Sequence, residues 1–276
     1  MLDRYGLAYW IPPIALDVAS AVRGWLRYRD LRSTLHRNLA LRDAHVGESV
    51  FVVANGPSLN NFGPSNLFGK KVIVMNHFEL ADWKSRVDIV AHCIGEPFDS
   101  PAWEDPTLSV MGTEARSYWL HISALRDPAV RKCAGSKPVH FTQSIIKPGI
   151  WGERRIDLSR STLGYQTTAQ LAISVALHMG FTTIYLVGFN HDWLCTRGHS
   201  PHFYADDADV PPADLSRFTY AQMIDISARM WHFYHALDRS ARIAGARVIN
   251  LSEPSFLDVF PTGPRPEGVP VRGHSL

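Results

Sequence analysis

The 276-residue sequence predicts an α/β fold, a mostly parallel sheet flanked by helices. Three observations carry that expectation. Short, continuous apolar runs recur along the chain, as strands buried on both faces require. The first, Val50 to Ala54, runs straight into Asn55-Gly56-Pro57-Ser58, a glycine turn that opens a helix. A comparable unit recurs between Ser161 and Trp193, where a helix rich in small residues leads into another apolar run ending in Gly188-Phe189-Asn190. Strand, turn and helix alternating at this spacing is the α/β pattern.

Composition bounds the function. Hydrophobic residues at 46% and charged residues at 20% are globular values. The net charge of +2 argues against a nucleic-acid partner. Cys93, Cys133 and Cys195 show no CxxC spacing. They read as reduced thiols of a cytosolic protein, with neither a disulfide framework nor a zinc site. No cleavable signal peptide is evident, and Pro12, Pro13, Asp17 and Arg23 interrupt the N-terminal apolar stretch, making it a poor spanning helix.

In chain order, residues 1–48 form an amphipathic, basic helical extension. Tyr9, Trp10, Ile11, Ile14, Leu16, Val18, Val22, Trp25 and Leu26 are apolar; Arg23, Arg27, Arg29, Arg32, Arg37 and Arg42 follow, with Asp30 and Asp43 against them. Such a helix suits an anionic membrane surface. Packing on the domain with a solvated basic face explains the same pattern. The expectation is a cytoplasmic protein whose residues 7–42 can make a peripheral contact with the inner face of the cytoplasmic membrane.

Residues 49–260 are the expected nucleotide-binding α/β domain. Strands are expected at Val50 to Ala54, Lys71 to Met75, Val87 to His92 and Leu108 to Met111. Ligands should lie at the strands' carboxyl ends and crossovers should be right-handed. At the first such end, Gly56 allows close backbone approach, Pro57 suits a first helical turn, and Ser58 adds a hydroxyl where free N–H groups favour a phosphate. Asn55 and Asn76 fall at strand ends, where an amide suits a base edge or ribose hydroxyl; an Asn also serves such a turn simply by tolerating left-handed backbone.

Thr113 to Leu125 reads as a helix, Val139 to Ile146 as a strand and Lys147 to Gly152 as a loop. Arg154, Arg155 and Arg160 follow; any one of them suits a phosphate or carboxylate, and at least two read as solvated surface. Ser161 or Thr162 reads as the N-cap of a helix from Tyr165 to Met179, with Gly164 permitting close approach. Thr183 to Val187 is the next strand, ending at Gly188 and Asn190. Beyond it, His199 and His202 are candidate general bases and Tyr204 a candidate phosphate donor. His191, His199 and His202 with Asp192 fit no strong metal-ligand spacing, so no metal site is expected. Phe218 to Gly245 is a long core helix and Arg247 to Leu251 a last strand. Residues 261–276 read as a mobile tail.

Several stretches together resemble one pattern: ANGPSL at 54–59, VMNHF at 74–78, STLG before an Ala-rich helix, GFTTIYLVGFNHDW at 180–193 and VINLSEPSFLDVF at 248–260. The chain resembles bacterial CMP-sialic-acid-dependent sialyltransferases and, equally, the wider superfamily around the hydroxymethylpterin pyrophosphokinases and flagellin nonulosonate transferases of surface-polysaccharide clusters. The resemblance covers roughly Gly47 to Phe260. It implies a Rossmann-like fold of the GT-A-variant type and an inverting, metal-independent transfer of an acidic sugar from a CMP-activated co-substrate to a glycan or glycolipid acceptor, with no cofactor. By motif, Asn55 and Gly56 would contact phosphate and ribose, Asn76 the nucleotide or donor sugar, and Thr162 and Gly164 the cytidine side. His202 or His199 would be the base and Tyr204 would stabilise the departing phosphate. The loop here reads GHSPHFYADD, which departs from the sialyltransferases and leaves the matching His open. Two other functions are compatible with the sequence. One is an ATP- and Mg²⁺-dependent pyrophosphokinase using Asp192, Asp206, Asp207 and Asp209. The other is a non-catalytic nucleotide-binding member of a glycan-assembly complex. Self-association into a homo-oligomer is compatible with all three.

Overall fold

The computed structural model describes residues 13–98, 104–192, 194–195, 219–264 and 266. The loop carrying His199, His202 and Tyr204 lies outside them, as does most of the 261–276 tail. The strands are β1 (Ser49–Val53), β2 (Lys71–Met75), β3 (Asp88–Ile94), β4 (Tyr118–His121), β5 (Val139–Thr142), β6 (Ser144–Ile146), β7 (Thr162–Leu163), β8 (Thr183–Val187) and β9 (Arg247–Asn250). The helices are α1 (Pro13–Tyr28), α2 (Arg32–His36), α3 (Ser58–Phe62), α4 (Thr107–Met111), α5 (Pro128–Ala134), α6 (Pro148–Trp151), α7 (Thr168–His178) and α8 (Tyr220–Ile243).

Seven strands form one sheet in the order β5-β4-β3-β2-β1-β8-β9, all parallel. The expected α/β class is therefore observed. From β1 the chain steps outward through β2 to β5 on one side, then returns to place β8 and β9 on the other. The order reverses between β1 and β8, and their carboxyl ends open a crevice there.

The period of two assigns each strand residue a layer. Val50, Val52, Ile73 and Met75 face α7, which is buried from Ala169 to His178. Phe51, Val53, Val72 and Val74 face Leu59, Phe62, Leu67 and Phe78 on the other side. A helix apolar on every side is a core helix. It sits between the sheet and α8, whose Met230, Phe233, Tyr234 and Leu237 form an outer layer. Thr219 and Gln222 close a capping box at the start of α8.

Several local expectations were wrong. Leu108 to Met111, expected as a strand, is helix α4, with Asp105 accepting from the Thr107 N–H ahead of it. Its exposed Leu108 and Met111 lie three apart on one helical side. The fourth strand is instead Tyr118–His121, inside the stretch expected to be a helix; four consecutive buried residues give a short run no periodicity to reveal its type. The single strand expected over Val139 to Ile146 divides into β5 and β6, which belong to different sheets. The loop expected at Lys147 to Gly152 contains α6. Thr162 is in β7 and the N-cap of α7 is Thr167, so neither Ser161 nor Thr162 caps that helix. Pro57, expected inside the first turn, is the N-cap of α3.

The N-terminal segment is tied into the domain at Asn38. Its buried side chain donates to Phe141 O (2.8 Å) and Leu158 O (2.7 Å). Among the described residues, no helix is long and apolar enough to cross a membrane.

Candidate functional site

The crevice is built where β1 and β8 end side by side. The Ala54 N–H donates to Val187 O (2.8 Å) and the Gly56 N–H to Gly188 O (3.0 Å), carrying the ladder past the strands into both turns. The contact is too close for side chains. A Cβ on Gly56 would collide with Gly188 O and Asn190 Oδ1, and one on Gly188, which has φ +82°, would collide with Ala54 O. The two glycines thus bring bare backbone to the switch point.

Asn190 locks this arrangement. Its Oδ1 accepts from the Ser58 N–H (3.0 Å), its Nδ2 donates to Pro254 O (3.1 Å), and its carbonyl accepts from the Phe256 N–H (2.9 Å). Two polar atoms beside it have no such use. Asn55 Oδ1 and Ser58 Oγ are buried without a hydrogen-bond partner among the described residues. A buried polar atom left unpaired costs about 1–3 kcal/mol, so two of them at a strand-end crevice mark the place where a ligand would supply the missing bonds.

The next strand end adds Asn76 and His77. Asn76 holds left-handed backbone at φ +48°, its N–H donates to Cys93 O (2.9 Å), and its carbonyl accepts from His92 Nε2 (2.7 Å). His92 is fully buried, and burial pushes its pKa down to about 4. The ring is therefore neutral and buttresses the turn by one N–H while Nδ1 faces the Thr113 hydroxyl (2.9 Å). His77 is the opposite case. Its Nδ1 meets Glu79 Oε1 (3.3 Å) and its Nε2 meets Glu104 Oε2 (3.1 Å). The hydrogen bond to Glu79 raises its pKa, against the lowering effect of burial. The half-buried ring beside Asn76 is thus held between two carboxylates, which favour its protonated form.

At the end of β3, Gly95 O accepts from the Tyr165 hydroxyl (2.7 Å), which joins that strand end to the segment before α7. On the far side of β8, His191 is in left-handed backbone at φ +52° and its Nε2 is hydrogen-bonded to the Tyr234 hydroxyl (2.8 Å). Burial lowers the His191 pKa to about 4.

The structure thus gathers Asn55, Gly56, Pro57, Ser58, Asn76, Gly188 and Asn190 at the ends of three neighbouring strands. Ser161, Thr162 and Gly164 belong to β7 and its flanks. The Ser161 hydroxyl donates to Gln143 Oε1 (2.8 Å), the Thr162 N–H to Gln143 O (3.1 Å) and the Gly164 N–H to Ile146 O (2.7 Å). Thr162 Oγ1 is buried with no hydrogen-bond partner among the described residues. Ser161 lines a cavity of about 510 Å³ together with Arg42, Asp43, Arg154, Arg155, Asp157, Arg160 and His178. There Arg155 pairs with Asp43 (2.7 Å) and Arg160 with Asp157 (3.0 Å). His199, His202 and Tyr204 lie outside the described residues. Among the described residues, no group of three His, Cys, Asp or Glu side chains is placed to hold a metal ion.

His77, Gly95 and Tyr165 were not among the candidate residues read from the sequence. His77 had one local signal, Glu79 two residues on. Its second carboxylate, Glu104, comes from a distant segment and had none.

No family model matches the chain, and no curated protein matches it. Among solved structures, it is similar to the sialyltransferase CstII from Campylobacter jejuni in complex with cytidine-5'-monophosphate, at 14% identity over 79% of this chain and 86% of that one, with a TM-score of 0.46. The CstII complex with CMP-3FNeuAc gives 15% identity over the same shares and a TM-score of 0.45. The complex with a trisaccharide acceptor and CMP gives 14%, again over 79% and 86%, and 0.45.

Proposed function

We propose that this chain is a glycosyltransferase that moves an acidic sugar, a sialic acid or related nonulosonate, from a CMP-activated donor to a glycan acceptor in surface-polysaccharide synthesis, with inversion and without a metal. The observation that carries the reading is the crevice between β1 and β8, where Asn55 Oδ1 and Ser58 Oγ are buried with no hydrogen-bond partner among the described residues, at the point where strand order reverses. The resemblance of the surrounding blocks in order and spacing supports a CMP-sugar as the occupant.

In this reading Asn55 and Gly56 hold the phosphate and ribose, and Pro57 and Ser58 shape that turn. Asn76 meets the nucleotide or donor sugar. Gly188 and Asn190 brace the opposite wall, and Thr162 and Gly164 lie against the cytidine side. The acceptor hydroxyl gives its proton to His202 or His199 as its oxygen attacks the anomeric carbon. The bond from that carbon to the phosphate oxygen breaks, and CMP leaves with the electron pair. The developing phosphate charge is offset by Tyr204.

A thermal-shift panel of CMP, CDP, UDP, GDP and ATP, each with and without Mg²⁺, tests the reading. CMP without Mg²⁺ is expected to stabilise the protein, by about 2.7 kcal/mol at a hundredfold its dissociation constant. Asn55→Ala is expected to abolish that response. Stabilisation by UDP or GDP would keep the enzyme class and replace the donor. Stabilisation by ATP with Mg²⁺ alone would replace the reading by a pyrophosphokinase.

A further inference from the structure

Helix α1 carries an apolar face that no other described residue covers. Its inner side is Asp17, Ala21 and Gly24. Gly24 packs on Ile145, where a Cβ would come within 3.0 Å of Ile145 Cδ1, and its carbonyl accepts from Gln143 Nε2 (3.2 Å). A Cβ on Gly149 would come within 3.0 Å of Asp17 Oδ2. On the outward side Ile14, Val18, Val22 and Trp25 fall along one helical line with Leu26 beside it. All five are exposed, from 40% at Trp25 to 56% at Ile14.

Positive charge is concentrated on the end of this helix and on the segment that follows it. Residues 13–42 hold six arginines and two aspartates, a net +4, whereas the whole chain is +2, so the rest of the molecule is net negative. Arg23 borders the apolar face. Arg29 and Arg32 follow it; Arg29 pairs with the exposed Asp30 (3.6 Å), and the Arg32 guanidinium lies over the Trp25 ring at 5.1 Å. Asp17 is turned inward, away from this face.

We propose that α1 lies in the plane of an anionic membrane surface. Ile14, Val18, Val22, Trp25 and Leu26 enter the boundary between headgroups and acyl chains, while Arg23, Arg29 and Arg32 stand at the level of the lipid phosphates. A bilayer offers an apolar layer and a sheet of negative charge side by side, matching both halves of the pattern. A second copy of the chain would bring a second +4 segment against the first. The inference is independent of the glycosyltransferase reading.

The test is co-sedimentation of the full chain with vesicles of phosphatidylcholine, alone or mixed with phosphatidylglycerol. The mixed vesicles are expected to bind about tenfold more protein or better, and raised salt is expected to weaken that binding. The double variant V18D/V22D is expected to lose about tenfold or more of the binding with its unfolding temperature unchanged. R23E/R32E is expected to lose the preference for phosphatidylglycerol. Binding to neither vesicle would overturn the proposal. A lower unfolding temperature in V18D/V22D would overturn it too, because the chain itself would then cover the face. So would a wild-type dimer that V18D/V22D dissociates.

Discussion

His77 lies between Glu79 and Glu104, the first two residues along and the second on a separate segment. Its pKa is raised above the ordinary 6.5, chiefly by the bond to Glu79. The fold therefore binds this proton more tightly than the unfolded chain does. The stabilisation is fully present below the unfolded value and is lost as pH rises through the raised folded value. His77→Gln is expected to lower the unfolding temperature at pH 6 and to leave it unchanged at pH 9. An equal deficit at both pH values would show that the side chain acts by packing alone. Asn55 and Ser58 make the complementary point at this scale. Their identity and position at a glycine turn were legible, because turn chemistry is local. Their unpaired oxygens were not, because satisfaction depends on Asn190 and Pro254, which arrive from far along the chain.

Among the elements, the short segment around α2 is anchored by Leu35 in the core and by one buried amide. Asn38 sends two hydrogen bonds to carbonyls of β5 and of the stretch before β7, its Oδ1 accepts from His140 Nδ1 (3.0 Å), and its own carbonyl accepts from His178 Nε2 (3.0 Å). Asn38→Ala would leave two buried carbonyls and one ring N–H without partners, at about 1–3 kcal/mol for each unsatisfied group. The expected result is a loss of roughly 3 kcal/mol in urea unfolding. A loss below about 1 kcal/mol would mean that water replaces the amide. Legibility at this scale follows length and periodicity. α8, at 24 residues with a polar outer side, was read within two residues of its start and end. α4 and β4 were exchanged for one another. Each is at most five residues long, and in runs that short helix and strand differ by their neighbours rather than by their own pattern.

For the whole molecule, the buried histidines set the response to acid. Burial lowers the pKa of His92, His140 and His191 to about 4, and lowers that of His178. Each ring is neutral in the fold and takes a proton more readily when unfolded. Their contribution is present above the unfolded value near 6.5 and is lost as pH falls from there toward 4. A shift of one unit corresponds to about 1.4 kcal/mol, so His92, His140 and His191 each cost roughly 2 kcal/mol by pH 4.5. The unfolding temperature is expected to fall by at least about 5 °C between pH 7 and pH 4.5, and His92→Gln is expected to flatten part of that slope. A flat profile would mean that these rings protonate inside the fold. His77 runs the other way but is only half-buried.

The α/β class, the five strands at Val50, Lys71, Val87, Thr183 and Arg247, and the two glycine turns of the crevice were set by the sequence itself. Buried parallel strands are apolar runs, and the turns that end them need glycine or a residue tolerant of left-handed backbone; both are local demands. Pairing was set only in three dimensions. How β1 comes to lie beside β8, where the strand order therefore reverses, and how Gly56 comes against Gly188 follow from contacts between residues more than a hundred apart. The two carboxylates around His77, the tie at Asn38 and the face of α1 that no other described residue covers are of the same kind. Each depends on which distant segment arrives beside it, and a single segment read alone holds no record of that.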